Sequence, residues 1–69
     1  MTAEDFKKLF PNWEHLTFEY GRWTSTHKDY DASYEGEEIG WVDNGLKAEG
    51  RTITELAVEC KEIEEGITA

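Results

Sequence analysis

The sequence predicts a small α+β domain in which an amphipathic helix packs on one face of an antiparallel sheet. Apolar residues alternate at every second position in the middle of the chain and recur at three- and four-residue spacing near its end. A length of 69 residues allows one domain, residues 1–69, with a marginal core. We therefore expect a short N-terminal helix, three or four antiparallel strands and a C-terminal helix.

A short helix is predicted at the N-terminus. Thr2 followed by Asp5 forms a capping box, which marks a helix start. Three apolar residues then share one helical face: Phe6, Leu9 and Phe10. Pro11 restricts the residue before it to an extended backbone, so we expect the helix to end near Phe10.

A β-hairpin is predicted next. Residues 16–20 alternate apolar and polar side chains, as a half-buried strand requires, with Leu16, Phe18 and Tyr20 on one face. Gly21-Arg22 supplies a two-residue turn, and residues 23–27 form the returning strand.

The middle of the chain predicts a loop and a second hairpin. Residues 28–38 hold five acids and one base without a clean period, which is typical of a solvated loop. A strand follows at Ile39–Val42, and Asp43-Asn44-Gly45 is a strong signal for a turn into Leu46–Ala48. Gly50 then ends the sheet.

The C-terminal helix has the clearest pattern. Thr52 and Glu55 form a second capping box. One apolar stripe follows: Ile53, Leu56, Ala57, Cys60 and Ile63. Gly66 is expected to end the helix as its C′ residue.

The charge limits the classes of partner. Sixteen Asp and Glu against seven Lys and Arg give a net charge of −9, which argues against direct binding to nucleic acid or an anionic membrane. A partner should be a basic or neutral protein. The single cysteine excludes an intrachain disulfide, and no secretion signal or apolar span is visible, so we expect a cytoplasmic protein.

Catalytic and metal-binding patterns are weak. Cys60 lies on the predicted buried stripe, and His15 and His27 match no zinc spacing. Alternate oxygen-bearing residues imitate a calcium loop: Asp29, Asp31, Ser33 and Glu35. Tyr34 replaces the glycine of such a loop and Gly40 replaces its bidentate glutamate, although loose calcium binding through charge stays open. We expect no enzyme activity, no cofactor and no metal site.

Two acidic clusters are the candidate partner-binding surface. One contains tyrosines, whose rings give rigid contact area. The other lies near the C-terminus of the second helix, where the helix dipole disfavours negative charge. The candidate residues are Asp29, Tyr30, Asp31, Tyr34, Glu35, Glu37, Glu38, Glu59 and Glu62. Alternatively, the acids only confer solubility and one or both tyrosines close the core.

Two resemblances add to this interpretation. The stretch Trp23 to Asp31, followed by an acidic loop and Gly50-Arg-Thr52-Ile-Thr-Glu55, resembles small orphan proteins encoded by phages and prophages. The run Ala48 to Ile63 is similar to the strand-to-helix corner of HicB-type antitoxins, in which a sheet and a helix neutralise a small ribonuclease. These resemblances imply a phage-type protein in the host cytoplasm, and no catalytic residue is carried over.

The sequence therefore predicts a non-enzymatic protein-binding module. Its acidic face would imitate nucleic acid and inhibit a basic host protein, for example a nucleic-acid-processing enzyme. An antitoxin-like module that neutralises a small toxin is one alternative. A structural or assembly subunit, or a homodimer formed through an exposed sheet edge, is another.

Overall fold

The computed structural model describes residues 1–68, so the last residue of the expected domain lies outside the described part. These residues form, in chain order, α1 (Ala3–Leu9), β1 (Trp13–Glu19), β2 (Arg22–His27), β3 (Ala32–Tyr34), β4 (Trp41–Asp43), β5 (Lys47–Gly50) and α2 (Ile53–Thr68). One antiparallel sheet has the strand order β1-β2-β5, and β3 pairs with β4 in a separate two-stranded sheet. The predicted α+β class is confirmed.

The three-stranded sheet has one covered face and one polar face. α2 packs against β5 and β2, and α1 packs against α2 and β1. The polar face is tied across strands by the hydroxyls of Thr17 and Thr24, 2.7 Å apart, and by Arg22 Nη1 and Glu49 Oε1, 3.3 Å apart. Because the helices cover one face of the sheet and the other face is polar, the molecule is flat and measures 40 × 32 × 15 Å.

A β-bulge in β1 determines which side chains face α2. The pairing of β1 with β2 shifts between Glu14 and Thr17, where two residues lie opposite Ser25 alone. One of the two, His15, has a left-handed φ of 54°. The extra residue reverses the alternation of side chains, so Trp13 and the apolar residues after the bulge share the α2 face. The Ser25 hydroxyl donates to the Glu14 carbonyl at 2.8 Å.

The core lies between this face and the helices. Its buried apolar residues are Phe6, Trp13, Ala48, Leu56, Ala57 and Cys60, with Phe10, Leu16, Trp23, Ile53 and Ile63 packed around them. The predicted apolar stripe of α2 is therefore confirmed as its packing face. Among the side chains of residues 1–67, no buried nitrogen or oxygen lacks a hydrogen-bond partner.

Both predicted helix starts are present. Thr2 and Asp5 form the reciprocal capping box of α1, and Phe10 is its C-cap residue. At α2 the Glu55 amide donates to Thr52 Oγ1 at 3.1 Å, whereas the Glu55 carboxylate accepts from the Arg51 amide at 2.9 Å. Only one of the two hydrogen bonds of the capping box at Thr52 is therefore formed. The Glu55 carboxylate binds the amide of Arg51, the residue before the cap, instead of the amide of Thr52.

The turn of the first hairpin differs by one position from the prediction. β1 begins at Trp13, earlier than the predicted strand, and the chain turns at Tyr20-Gly21. Both turn residues have positive φ, 52° and 75°, which suits the twist of a two-residue hairpin. Tyr20 is therefore fully exposed instead of facing the core.

The second predicted hairpin is wrong. β4 pairs with β3, which lies inside the predicted loop, and β5 pairs with β2. The type I′ turn that Asn-Gly favours would need positive φ at both Asn44 and Gly45, but in the Asp43-Asn44-Gly45 corner only Gly45 has it, with φ of 78°. The corner therefore redirects the chain from one sheet to the other. Gly66 does not end α2, which continues to Thr68.

Gly50 marks a close approach between β5 and α2. A Cβ placed on Gly50 would lie 2.6 Å from the Leu56 backbone nitrogen, whereas one on Gly66 would meet nothing within 4 Å. We expect Gly50→Ala to lower the free energy of unfolding by about 1–3 kcal/mol through overpacking. Gly66→Ala, the matched control, should raise it by about 0.5–1 kcal/mol because alanine favours the helix.

Urea unfolding of both variants measures this difference. Equal effects of the two substitutions would contradict the close approach of β5 to α2.

Candidate functional site

A two-stranded arm projects from the three-stranded body. We call residues 32–43 the β-arm: it contains β3, a tip at residues 35–40 and β4. The tip closes through the Glu35 amide bound to the Gly40 carbonyl at 2.9 Å and the Gly40 amide bound to the Gly36 carbonyl at 2.7 Å. Both glycines have positive φ, 106° and 77°, so the tight tip depends on them.

The β-arm exposes apolar side chains. Tyr34 pairs with Trp41 across the two strands, with ring centroids 5.6 Å apart. Tyr34 is 55% exposed, Trp41 74%, Ile39 68% and Val42 44%. The neighbouring rings of Tyr34 and Trp41 form one exposed apolar patch, and such a patch marks an interaction site more often than scattered single residues do. The β-arm is therefore the leading candidate for contact with another molecule.

Acidic residues are dense in the same segment of the chain. Residues 29–46 contain six acids and no Lys or Arg, so this segment holds −6 of the chain charge of −9. Glu35, Glu37 and Glu38 are exposed around the tip, and Ser33 Oγ donates to Glu35 Oε1 at 2.8 Å. The exposed surface thus combines aromatic contact area with dense negative charge.

The side chain of Asn44 fastens the base of the β-arm. Its Nδ2 donates to the Asp29 carbonyl at 2.8 Å, and its Oδ1 accepts from the Asp31 amide at 3.3 Å. The same oxygen accepts from the Leu46 amide at 3.3 Å. One amide side chain therefore joins the segment entering the β-arm to the segment leaving it.

Tyr30 reinforces the same junction. Its hydroxyl donates to Asp43 Oδ2 at 3.4 Å. Desolvation raises the pKa of Tyr30, and the charge and hydrogen bond of Asp43 raise it further. The phenol therefore stays a neutral donor near pH 7. Tyr30 is half-buried and Tyr34 is exposed, so the two predicted tyrosines have different environments.

The predicted site residues fall into two separate groups. Seven lie in the β-arm or at its base: Asp29, Tyr30, Asp31, Tyr34, Glu35, Glu37 and Glu38. The remaining two, Glu59 and Glu62, are exposed on α2, and no hydrogen bond or ion pair in the described residues links them to the β-arm. Sequence reasoning missed Ile39, Trp41 and Val42, because their apolar pattern predicted a strand of the core sheet.

One acid of the C-terminal cluster has a structural role. Glu64 Oε1 accepts from Trp13 Nε1 at 2.8 Å, which ties α2 to the start of β1. The acids at the end of α2 are thus partly explained by packing.

Cys60 and His27 are both buried side chains. Cys60 is fully buried, and this burial raises the pKa of its thiol to about 12, with the carboxylates of Glu64 and Glu59 acting in the same direction. The thiol is therefore protonated at neutral pH. Buried His27 uses Nδ1 to accept from the Asp29 amide at 3.1 Å.

Among the described residues, no three His, Cys, Asp or Glu side chains are placed so that together they could hold a metal ion. In the same part of the chain, no helix is long and apolar enough to cross a bilayer.

No known family model matches this chain, and neither a curated protein nor a solved structure matches it significantly.

We expect Asn44→Ala to loosen the β-arm while leaving the body folded. Loss of the side-chain bonds to Asp29 and Asp31 should speed amide hydrogen exchange in β3 and β4 by about tenfold, which corresponds to about 1.4 kcal/mol. Asn12→Ala is the matched control, because Asn12 is exposed outside the β-arm. Exchange rates in the β-arm that are the same in both variants would show that Asn44 does not hold its base.

Proposed function

We propose that this chain is a non-enzymatic protein-binding module whose β-arm inserts into the basic groove of a nucleic-acid-binding protein and inhibits it. The supporting observation is the combination of exposed rings and dense acids on one projecting hairpin. Its phage-type origin and its place in the host cytoplasm belong to the same proposal, and they rest on the sequence resemblance.

The chemistry of the β-arm fits grooves that bind single strands. Such grooves combine positive charge along the phosphate track with surfaces on which bases stack. Carboxylates at the tip replace phosphates, and the rings of Tyr34 and Trp41 replace stacked bases. The β-arm can therefore bind such a groove through both charge and stacking, whereas a purely acidic face could bind it through charge alone.

The two kinds of side chain have different roles in binding. Exposed carboxylates steer a basic partner and raise the association rate, and salt screens this effect. The rings supply buried contact area in the complex and slow dissociation. We therefore expect Glu35, Glu37 and Glu38 to govern salt dependence and Trp41 to govern the lifetime of the complex.

Affinity capture from a bacterial lysate tests the proposal, with bound proteins identified by mass spectrometry. The variant combines Glu35→Gln, Glu37→Gln and Glu38→Gln. Its matched control combines Glu4→Gln, Glu14→Gln and Glu19→Gln, which removes the same charge outside the β-arm. We expect the wild type and the control to retain a nucleic-acid-binding protein at about 50 mM salt and to lose it at about 500 mM.

The β-arm variant should lose the captured protein under both conditions, and a single-stranded oligonucleotide should elute it from the wild type. Equal retention by the β-arm variant and the control would refute the proposed site. Retention that neither salt nor oligonucleotide affects would refute nucleic-acid mimicry and favour a packed, antitoxin-like interface.

A further inference from the structure

A second exposed apolar surface lies between α1 and α2. We call it the helix groove: an open depression of about 370 Å³ lined by Met1, Leu9, Phe10, Val58 and Lys61, among others. Leu9 is 62% exposed and Val58 is 55% exposed, so more than half of each side chain lies outside the core. The groove continues along α1 past Leu9 to Lys8.

The rim of the helix groove has a different charge from the β-arm. Lys61 borders it on α2, and Lys8 borders the continuation on α1. The acid on that side, Asp5, accepts a hydrogen bond from the Thr2 amide at 3.2 Å in the cap of α1. In a chain with a charge of −9, this is an apolar surface with cations at its edge.

We propose that the helix groove receives the β-arm of a second copy of this chain. The β-arm presents Trp41 and Ile39 beside exposed carboxylates, and the groove presents Leu9 and Val58 beside ammonium groups. Apolar surface meets apolar surface, and opposite charges meet at the rim. The charges beside the two patches are opposite, so each patch favours the other over a second copy of itself.

This contact joins different surfaces of the two copies. Such a heterologous contact leaves one β-arm and one groove free at the two ends, so it extends to larger assemblies unless rotation closes a ring. It also buries Trp41, which the proposed function needs exposed. Self-association and partner binding therefore compete for the same β-arm, and to that extent the inference rests on the proposed function.

Salt separates the two associations. Two copies with a charge of −9 each repel at long range, and salt screens this repulsion more than it weakens close contacts in a partly desolvated interface. Self-association should therefore strengthen as salt rises, whereas binding to a basic partner should weaken.

Sedimentation equilibrium at about 0.3 M salt tests self-association, over protein concentrations from about 10 μM to about 1 mM. We expect the weight-average mass of the wild type to rise with concentration and to pass the dimer mass, because each contact leaves one β-arm and one groove free for a further copy. Trp41→Ala and Val58→Glu should each stay monomeric, because one removes the anchor and the other places a carboxylate in the groove. Tyr20→Asn, which removes an exposed ring outside both patches, should behave as the wild type does.

Mixing the two defective variants gives the sharpest test. Each retains the patch that the other lacks, so an equimolar mixture of Trp41→Ala and Val58→Glu should form a heterodimer. A monomeric mixture, a monomeric wild type at the highest concentration, or wild-type association by Trp41→Ala would overturn the inference. Circular dichroism checks that every variant is folded.

Val58→Glu distinguishes this inference from the proposed function. It should still capture the basic partner, because its β-arm is intact. Partner capture by a strictly monomeric wild type would refute self-association alone, and self-association without capture would refute the proposed function alone.

Discussion

The placement of Trp13 is the constraint on which the rest of this fold depends. Its ring lies 5.4 Å from that of His27 in an edge arrangement, and its indole nitrogen donates to Glu64 on α2. One side chain thus joins the first strand to the second and both to the last helix. A largely buried indole N–H needs such an acceptor, so the position of Glu64 helps to fix how α2 lies on the sheet.

The β-bulge at His15 follows from the same requirement. Without an extra residue, Trp13 and Leu16 would point to opposite faces of β1, and one of them would leave the core. Ser25 compensates the interrupted ladder through its bond to the Glu14 carbonyl. A small domain buries a small fraction of its surface, so exposing either Trp13 or Leu16 would remove a large part of the core.

The hydrophobic core is formed without side chains of the β-arm. None of the buried core residues comes from residues 32–43, so the rings there are not explained by folding. Exposed aromatic groups carry an aggregation risk, which nearby carboxylates reduce by repulsion. The described surface thus has two different exposed apolar areas, one on an acidic hairpin and one beside lysines.

Local patterns predicted the parts of this fold that local interactions decide. The helix starts at Thr2 and Thr52, the apolar stripe of α2 and the first hairpin all follow from neighbouring residues. The partner of β4 does not, because β5 could pair with β4 or β2 and the choice depends on packing of Ala48 against α2. The acids of the β-arm were visible in the sequence, but the exposure of Trp41 depends on that same choice of partner.

Trp41 is exposed on the β-arm, whereas Trp13 is buried in the core. Hydrogen exchange of the three indole N–H groups, followed by NMR on dilute protein, tests it directly. We predict that Trp13 exchanges only as the whole domain unfolds and that Trp41 exchanges at nearly the rate of a free indole. Strong protection of Trp41 in the monomer would show instead that its ring belongs to the core.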